Sequence, residues 1–301
     1  MCGIVGLYLK NKSLESQIGQ MFAPMLAAMT GRGPDSAGFA IYGDEVPQGS
    51  IKLTLRHDDR SYDWAALAQR TQEQLNVKVE FVQNDLAAVF KITTDAKKAT
   101  QYFTSQAPEV LILSAGRSIE ILKAVGLPQQ ICDDFNLQAM QGSHIIGHTR
   151  MATESAVTLE GSHPFSTGQD LCLVHNGSFS NHNRLRLELE RKGYAMKTEN
   201  DTEVAAGYLT WRMDEGDSLD ESLHHAIKDL DGFYTLAIGT RDGFAVIRDP
   251  IACKPALLAE TDDYVAIASE YQALTTLPGI DKARIWEPEP ATIYSWQRES
   301  H

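Results

Sequence analysis

Cysteine is scarce in this 301-residue chain: Cys2, Cys132, Cys172 and Cys253 are widely separated and form no CxxC pair. That excludes the usual zinc and iron–sulfur spacings. A disulfide framework is not expected at this size and density, so a reducing cytoplasm is the expected setting. Long apolar runs are also missing. The one near the N-terminus, Ile4 to Leu9, is far shorter than a signal h-region or a membrane span. Positive charge is in deficit, with 27 Lys and Arg against 40 Asp and Glu and a net charge of −13. Neither a nucleic-acid nor a membrane partner is expected, since both need clustered cations. There is no P-loop, internal repeat or low-complexity stretch. Gly31-x-Gly33-x-x-Ser36 is an incomplete dinucleotide fingerprint that follows a helical pattern instead of a strand.

What is present is an ordinary globular composition, 43% hydrophobic, enough to build a real core. Cys2 to Tyr8 reads as a buried strand. A helical pattern follows to about Thr30 with Met21, Met25, Ala28 and Met29 on one face, broken by Gly31 to Asp35. Gly38 to Tyr42 reads as a second strand. Residues 44–142 have a different texture, that of a small α/β insertion. Strands are expected there at Val77–Val82, Leu86–Ile92 and Val110–Leu113, and helices at Trp64–Leu75, Ala96–Phe103 and Ile119–Val125. From Ser143 onward short strands dominate (His144–Thr149, Leu171–His175, Phe233–Gly239, Phe244–Arg248, Ala256–Ala259, Tyr264–Ala268). A block of helices at 182–192, 201–213 and 218–229 stands between them. That order is α+β and not a regular βαβ alternation.

Four segments could carry chemistry. Methionine before a small residue is commonly removed, which would leave Cys2 first in the chain. Its free α-amine, with a reference pKa of roughly 7.7–8.0, could then serve as general base for its own thiol. Arg150, in His148-Thr149-Arg150-Met151-Ala152-Thr153 at a strand end, could hold a carboxylate with two parallel N–H···O bonds, or make a plain surface ion pair. Asn176-Gly177 offers an amide and a backbone N–H to an oxyanion, although Asn-Gly is equally a hairpin turn. Asn200-Asp201-Thr202-Glu203 precedes an apolar-periodic run and reads as a helix N-terminus, with Asp201 also able to bind an ammonium group. His144 and His148 have the spacing of a helical metal pair, but on a strand four residues span about 13 Å, too far to share one ion.

Together these segments resemble one family. Cys2-Gly3-Ile4-Val5-Gly6, Arg32-Gly33-Pro34-Asp35-Ser36-Ala37-Gly38, His148-x-Arg150-x-Ala152-Thr153, His163-Pro164, His175-Asn176-Gly177 and Asn200-Asp201-Thr202-Glu203 stand in the order found in the class II glutamine amidotransferases. Asp231-Gly232-x-Tyr234, Arg248-Asp249-Pro250 and Ser269-Glu270 are similar to the family's later signatures. The resemblance covers roughly 2–43 and 143–296. It implies an N-terminal-nucleophile αββα sandwich of four layers, a single domain over 2–300 with the 44–142 segment inserted. It further implies glutamine hydrolysis through a Cys2 thioester, with Asn176 and the Gly177 N–H as the oxyanion hole. Arg150 would hold the substrate carboxylate and Asp201 its ammonium, while Thr153 and Arg32 would line or support the pocket. Met151 departs from a frequent aromatic residue, and Glu154 from a frequent His of sugar-phosphate members.

Such enzymes pass ammonia to an acceptor unit, for which this chain leaves no room. The layout resembles the stand-alone amidotransferase subunit of glutamate-synthase-like and N-methylglutamate synthase complexes. The expected partner is then a synthase subunit, which would carry any flavin or iron–sulfur cluster, with no cofactor in this chain. Two other readings stay open: a self-sufficient hydrolase of glutamine or another γ-glutamyl amide, and a non-catalytic structural or glutamine-sensing subunit.

Overall fold

The computed structural model describes residues 2–151 and 157–298. In the first half of the chain the elements are β1 (Gly3–Leu9), α1 (Ile18–Ala28), β2 (Ser36–Tyr42), β3 (Ile51–Arg56), α2 (Trp64–Leu75), β4 (Val79–Asn84), β5 (Ala87–Ile92), α3 (Ala96–Gln106), β6 (Leu111–Gly116), β7 (Ile119–Val125) and α4 (Pro128–Asp134). The second half adds β8 (His144–Arg150), β9 (Cys172–Phe179), α5 (His182–Arg191), α6 (Asp201–Asp214), α7 (Leu219–Asp229), β10 (Gly232–Thr240), β11 (Gly243–Arg248), β12 (Leu257–Glu260), β13 (Tyr264–Ala268), α8 (Tyr271–Leu274), β14 (Arg284–Trp286) and β15 (Ile293–Gln297).

Two antiparallel sheets stack face to face. One has seven strands in the order β14-β12-β13-β1-β8-β2-β7, the other four in the order β15-β11-β10-β9. The pleat assigns each side chain to a layer, because alternate residues of a strand face opposite ways. On β1, Val5, Leu7 and Leu9 join the core under α1, α4 and α8, beside Phe22, Leu26 and Leu274. Ile4 and Tyr8 point the other way, into the seam between the sheets, where they meet Val174, Phe244 and Val246. Beyond the second sheet, Leu173, Leu236 and Ile247 pack on Leu189, Leu209 and Leu223 of α5, α6 and α7. Three successive apolar layers thus make the expected αββα sandwich.

The third sheet, β4-β5-β3-β6, packs Leu53, Leu55 and Phe90 against α2 and α3, around Trp64 and Phe103. It uses residues 51–116 and no others. This sheet lies within the segment expected to be inserted, 44–142, but not all of that segment stands apart from the sandwich. Residues 119–125, expected as a helix, form a strand that pairs with β2 from Ser36↔Val125 to Tyr42↔Ile119 and completes the seven-stranded sheet. The run misleads because both its faces are covered: Ile119 and Ile121 enter the inter-sheet seam while Leu122 faces the α1 layer. A strand buried on both faces loses its polar alternation.

Asp170 makes the joint between the small sheet and the sandwich. Its carboxylate accepts from the Arg117, Ser118 and Ile119 amides at 2.7, 2.8 and 3.0 Å, and from Ser118 Oγ at 3.1 Å. These are the residues linking β6 to β7. Asp170 itself adopts a left-handed backbone at φ 50°, a conformation Asn also tolerates. Asp170→Asn should therefore keep the backbone while turning an acceptor into a donor facing buried amides. The expected loss is about 2–3 kcal/mol in urea unfolding; an unchanged midpoint would show that the joint does not rest on this carboxylate.

Candidate active site

The site forms where the ends of four strands meet. Gly3 pairs with Thr149 and Arg150 with Ser36, so the starts of β1 and β2 lie beside the end of β8. Cys2 continues the parity of Ile4 and Tyr8, and Arg150 that of Ile146, so both belong to the inter-sheet face. Gly33 packs so closely on the end of β8 that an added Cβ would stand 2.4 Å from the Thr149 carbonyl carbon. The Arg150 guanidinium lies against Gly161, whose Cβ position is 3.4 Å from Nη1.

The main chain at Cys2 is held firmly. Buried Arg32 donates from Nε to the Cys2 carbonyl at 2.9 Å and from Nη1 to Glu270 Oε1 at 2.9 Å. Ser269 brackets the next turn of chain: its Oγ accepts from Ile4 N, and its own N–H donates to Ile4 O, both at 2.9 Å. Arg32, expected to line or support the pocket, supports the backbone that carries Cys2. Ser269 and Glu270 had only a family resemblance to signal them.

Asn176 and Gly177 lie inside β9, paired with Thr235 and Tyr234, and not in a hairpin turn. Asn176 has the parity of Cys172 and Val174 and so faces the seam that Cys2 faces. Its Nδ2 is buried and meets no acceptor among the described residues. Gly177 has φ 149°, and a Cβ there would lie 2.0 Å from Phe233 O, so no other residue fits.

Asp201 is the first residue of α6. Asn200 caps that helix, its side chain accepting from Thr202 N at 2.9 Å, as the plain reading of this segment expected. Asp201 Oδ2 accepts from Phe179 N at 3.0 Å, and Oδ1 lies 3.6 Å from His175 Nδ1. Burial alone would raise the Asp201 carboxyl, but the His175 imidazole and the Phe179 N–H more than offset it and hold it below its usual range. Thr153 falls outside the described residues.

A polar contact near the site joins the two sheets. His148 on β8 donates from Nε2 to the His175 carbonyl on β9 at 3.0 Å. β9 is an edge strand, and Leu173, two residues earlier, exchanges both its backbone groups with Phe165 on that outer edge. The His175 carbonyl faces the same way and is free for His148. Burial pushes His148 down to about 3 and His163, stacked on it at 3.9 Å, well below the usual histidine value. Both are neutral at physiological pH. No group of three or more metal-ligating side chains occurs among the described residues. No described helix is long and apolar enough to cross a membrane. A groove lined by Tyr8, Lys10, Lys12, Glu15, Trp296 and Arg298 lies at the far end of β1, about 20 Å from Cys2 by strand length, and contains none of the motif residues.

A glutamine amidotransferase domain family matches residues 148–276. Over 301 residues the chain is 54% identical to the glutamine amidotransferase-like protein GlxB of Rhizobium meliloti, covering 99% of each. The chain belongs to the class II glutamine amidotransferases. A putative glutamine amidotransferase of Methanothermobacter thermautotrophicus is 32% identical, with 98% of this chain and 99% of that one covered. The fold of this amidotransferase is shared with the glutamine phosphoribosylpyrophosphate amidotransferase of B. subtilis, at TM-score 0.61 and 19% identity. It is shared also with a structure described as the allosteric regulatory enzyme of purine biosynthesis, at TM-score 0.65 and 20% identity. The chain spans 49% and 47% of the lengths of those two solved enzymes.

The loop from Ser162 to Pro164, which carries His163 in this amidotransferase, is clamped by a buried lysine. Lys123 Nζ donates to Ser162 O at 2.6 Å and Pro164 O at 3.4 Å, and lies 4.9 Å from the centre of the Phe165 ring. Burial lowers the Lys123 amine to about 7 from an ordinary 10.5. Between those values the unfolded chain binds the proton more tightly, so this group's destabilising effect is full below about pH 7 and fades as pH rises toward 10.5. The unfolding free energy of the wild type minus that of Lys123→Met should therefore rise by about 2 kcal/mol from pH 7 to pH 9. Urea melts at both pH values read this directly; a difference that stays flat would place the amine's proton affinity near its ordinary value.

Proposed function

We propose that this chain is a glutaminase subunit that hydrolyses the glutamine side-chain amide through Cys2 and hands the ammonia to a partner synthase. The observation that carries the reading is the pairing of a rigidly held Cys2 backbone with the buried, unpartnered Asn176 amide across one seam. A donor buried without an acceptor is costly, and an oxyanion formed beside Cys2 would satisfy it.

In this reading Met1 is removed and the freed α-amine of Cys2 takes the proton of its own thiol. The thiolate attacks the amide carbon, and the Asn176 Nδ2 and Gly177 N–H receive the developing oxyanion. The ammonium so formed on Cys2 protonates the departing amine, which leaves as ammonia, and a thioester remains. Water, deprotonated by the same amine, then cleaves the thioester to glutamate. Arg150 holds the substrate α-carboxylate as a planar fork, and Asp201, ionised in the fold, holds the α-ammonium.

Transfer to a partner is supported by the surface around the site. Val125, Leu127, Met151, Phe233, Ile251 and Tyr271 are exposed large apolar side chains. Val125 ends β7 opposite Ser36 and Phe233 lies near the start of β10 opposite Ser178; Leu127, Met151 and Ile251 follow β7, β8 and β11, and Tyr271 opens α8 just after β13. A self-sufficient hydrolase has no need of such a rim. The resemblance to stand-alone subunits of glutamate-synthase-like and N-methylglutamate synthase complexes points to a synthase carrying its own flavin or iron–sulfur cluster.

Incubation with 6-diazo-5-oxo-norleucine followed by intact mass and N-terminal sequencing tests the chemistry. A chain lacking Met1 with a single adduct on Cys2, absent in Cys2→Ala, is expected. Asn176→Ala should lower kcat for glutamine by about 10²–10³, as loss of one oxyanion donor does elsewhere. An unprocessed chain that takes no adduct would overturn the reading.

A further inference from the structure

Behind Asp201 lies a hydrogen-bonded relay that the reaction as written does not use. Thr202 is fully buried, and its Oγ1 sits 2.8 Å from His163 Nε2 and 3.0 Å from His175 Nδ1. The same hydroxyl is 3.4 Å from Asp201 Oδ1. A hydroxyl has one proton, which goes to Asp201 Oδ1 or to one of the two imidazoles. Asp201 Oδ1, only 3.6 Å from His175 Nδ1, favours a proton on that nitrogen. His175 therefore donates to Thr202, whose own proton goes to Asp201 Oδ1 or to His163 Nε2.

The relay has fixed ends. His163 is stacked on His148 at 3.9 Å, and its loop is clamped through Ser162 and Pro164 by Lys123. His175 is stacked on Phe179 at 4.4 Å, and Phe179 N–H is the donor to Asp201 Oδ2. The Asp201 carboxylate thus faces a positive N–H edge on each oxygen, and its rotamer is set by groups from β9 and by Thr202, which His163 of the 162–164 loop holds in turn. Without the hydroxyl, the His175 ring would lose the acceptor that fixes its tautomer and tilt.

We propose that Thr202 is a positioning residue for substrate selection: through His175 it aims the Asp201 carboxylate at the α-ammonium of the substrate, and so makes the site demand an α-amino group. The proposal rests on the glutaminase reading given above. It assigns to Thr202, His163 and His175 the discrimination between α-amino amides and amides of simple dicarboxylic acids. An aspartate held in one rotamer gives a charge-assisted bond only to a donor in the matching place, and a swinging one loses that selectivity.

The test compares Cys2 alkylation by two electrophiles, 6-diazo-5-oxo-norleucine and its desamino analogue 6-diazo-5-oxohexanoate, by intact mass. The readout is the ratio of the two second-order rates in the wild type, Thr202→Val and Thr202→Ser. The wild type should prefer the amine-bearing reagent. Thr202→Val, isosteric but without the hydroxyl, should lower the ratio by about tenfold or more, the size expected when a hydrogen bond to a charged group is lost. Thr202→Ser should restore the ratio to within about threefold. A general packing defect slows both reagents together and leaves the ratio as it was, and that result would overturn the proposal. So would a Ser variant that fails to restore a ratio lost in Val. A wild type that reacts with neither reagent would instead sink the glutaminase reading, whatever the variants do.

Discussion

The arrangement depends on one hydrogen bond between sheets, from His148 Nε2 on β8 to the His175 carbonyl on β9. At the opposite end of the sheets His144 Nε2 donates to the Thr240 carbonyl and Tyr42 meets Cys172 Sγ; between the two ends the seam is apolar packing, here Ile4, Tyr8 and Ile146 against Val174 and Phe244. Such packing is non-directional and tolerates small slides. A hydrogen bond does not, because its strength falls steeply with distance and angle. The bonded carbonyl belongs to the peptide whose nitrogen is that of Asn176, and His148 lies two residues from Arg150. The contact therefore fixes the two groups on which the proposed chemistry depends, one from each sheet, in a common frame.

The start of β1 shows the complementary constraint. A nucleophile of the kind proposed, first in the chain once Met1 is removed, would have no preceding residue to restrain it, and chain ends ordinarily fray. Here Arg32 bonds the Cys2 carbonyl, Ser269 bonds Ile4 on both sides, and Thr149 and Ser36 belong to strands already in register. The residues that supply these bonds lie 30 to 265 positions away in the chain. Cys2 and the start of β1 are thus ordered by tertiary contacts and not by local propensity.

That separation explains what could be read in advance. The motifs were legible because each keeps its reacting groups within a few residues: Cys2-Gly3, His148 to Arg150, Asn176-Gly177, Asn200 to Glu203. The three helices after β9 were legible to within a residue or two because their caps and apolar periods are local, as with Asn200 and the Ser218–Glu221 capping box. β3 went unseen and β7 was taken for a helix, since their identity depends on strands elsewhere that cover both faces. Asn176-Gly177 shows the limit most sharply. As a dipeptide it favours a turn, but pairing with Thr235 and Tyr234 across a gap of almost 60 residues holds it in a strand. Thr202, Lys123 and Ser269 carried no local signal for what they contact.

The choice of histidine for the buried supports follows from charge. Arg32 and Arg150 already bring two permanent cations to the Cys2 end of the sandwich, and a protonated imidazole beside them would repel both. Burial removes that charge from His148 and His163 and leaves rings that are still polar. A neutral imidazole offers one donor and one acceptor at fixed angles on opposite sides of a flat ring. His148 uses the donor on a carbonyl, and His163 meets the Thr202 hydroxyl through Nε2. Lysine in either place could only donate and would demand a counter-charge. Leucine would pack as well but would leave the His175 carbonyl without the His148 donor and the Thr202 hydroxyl without one of its partners. The same low-polarity setting that costs charged groups their hydration thus makes two neutral rings the economical way to transmit position from one sheet to the other.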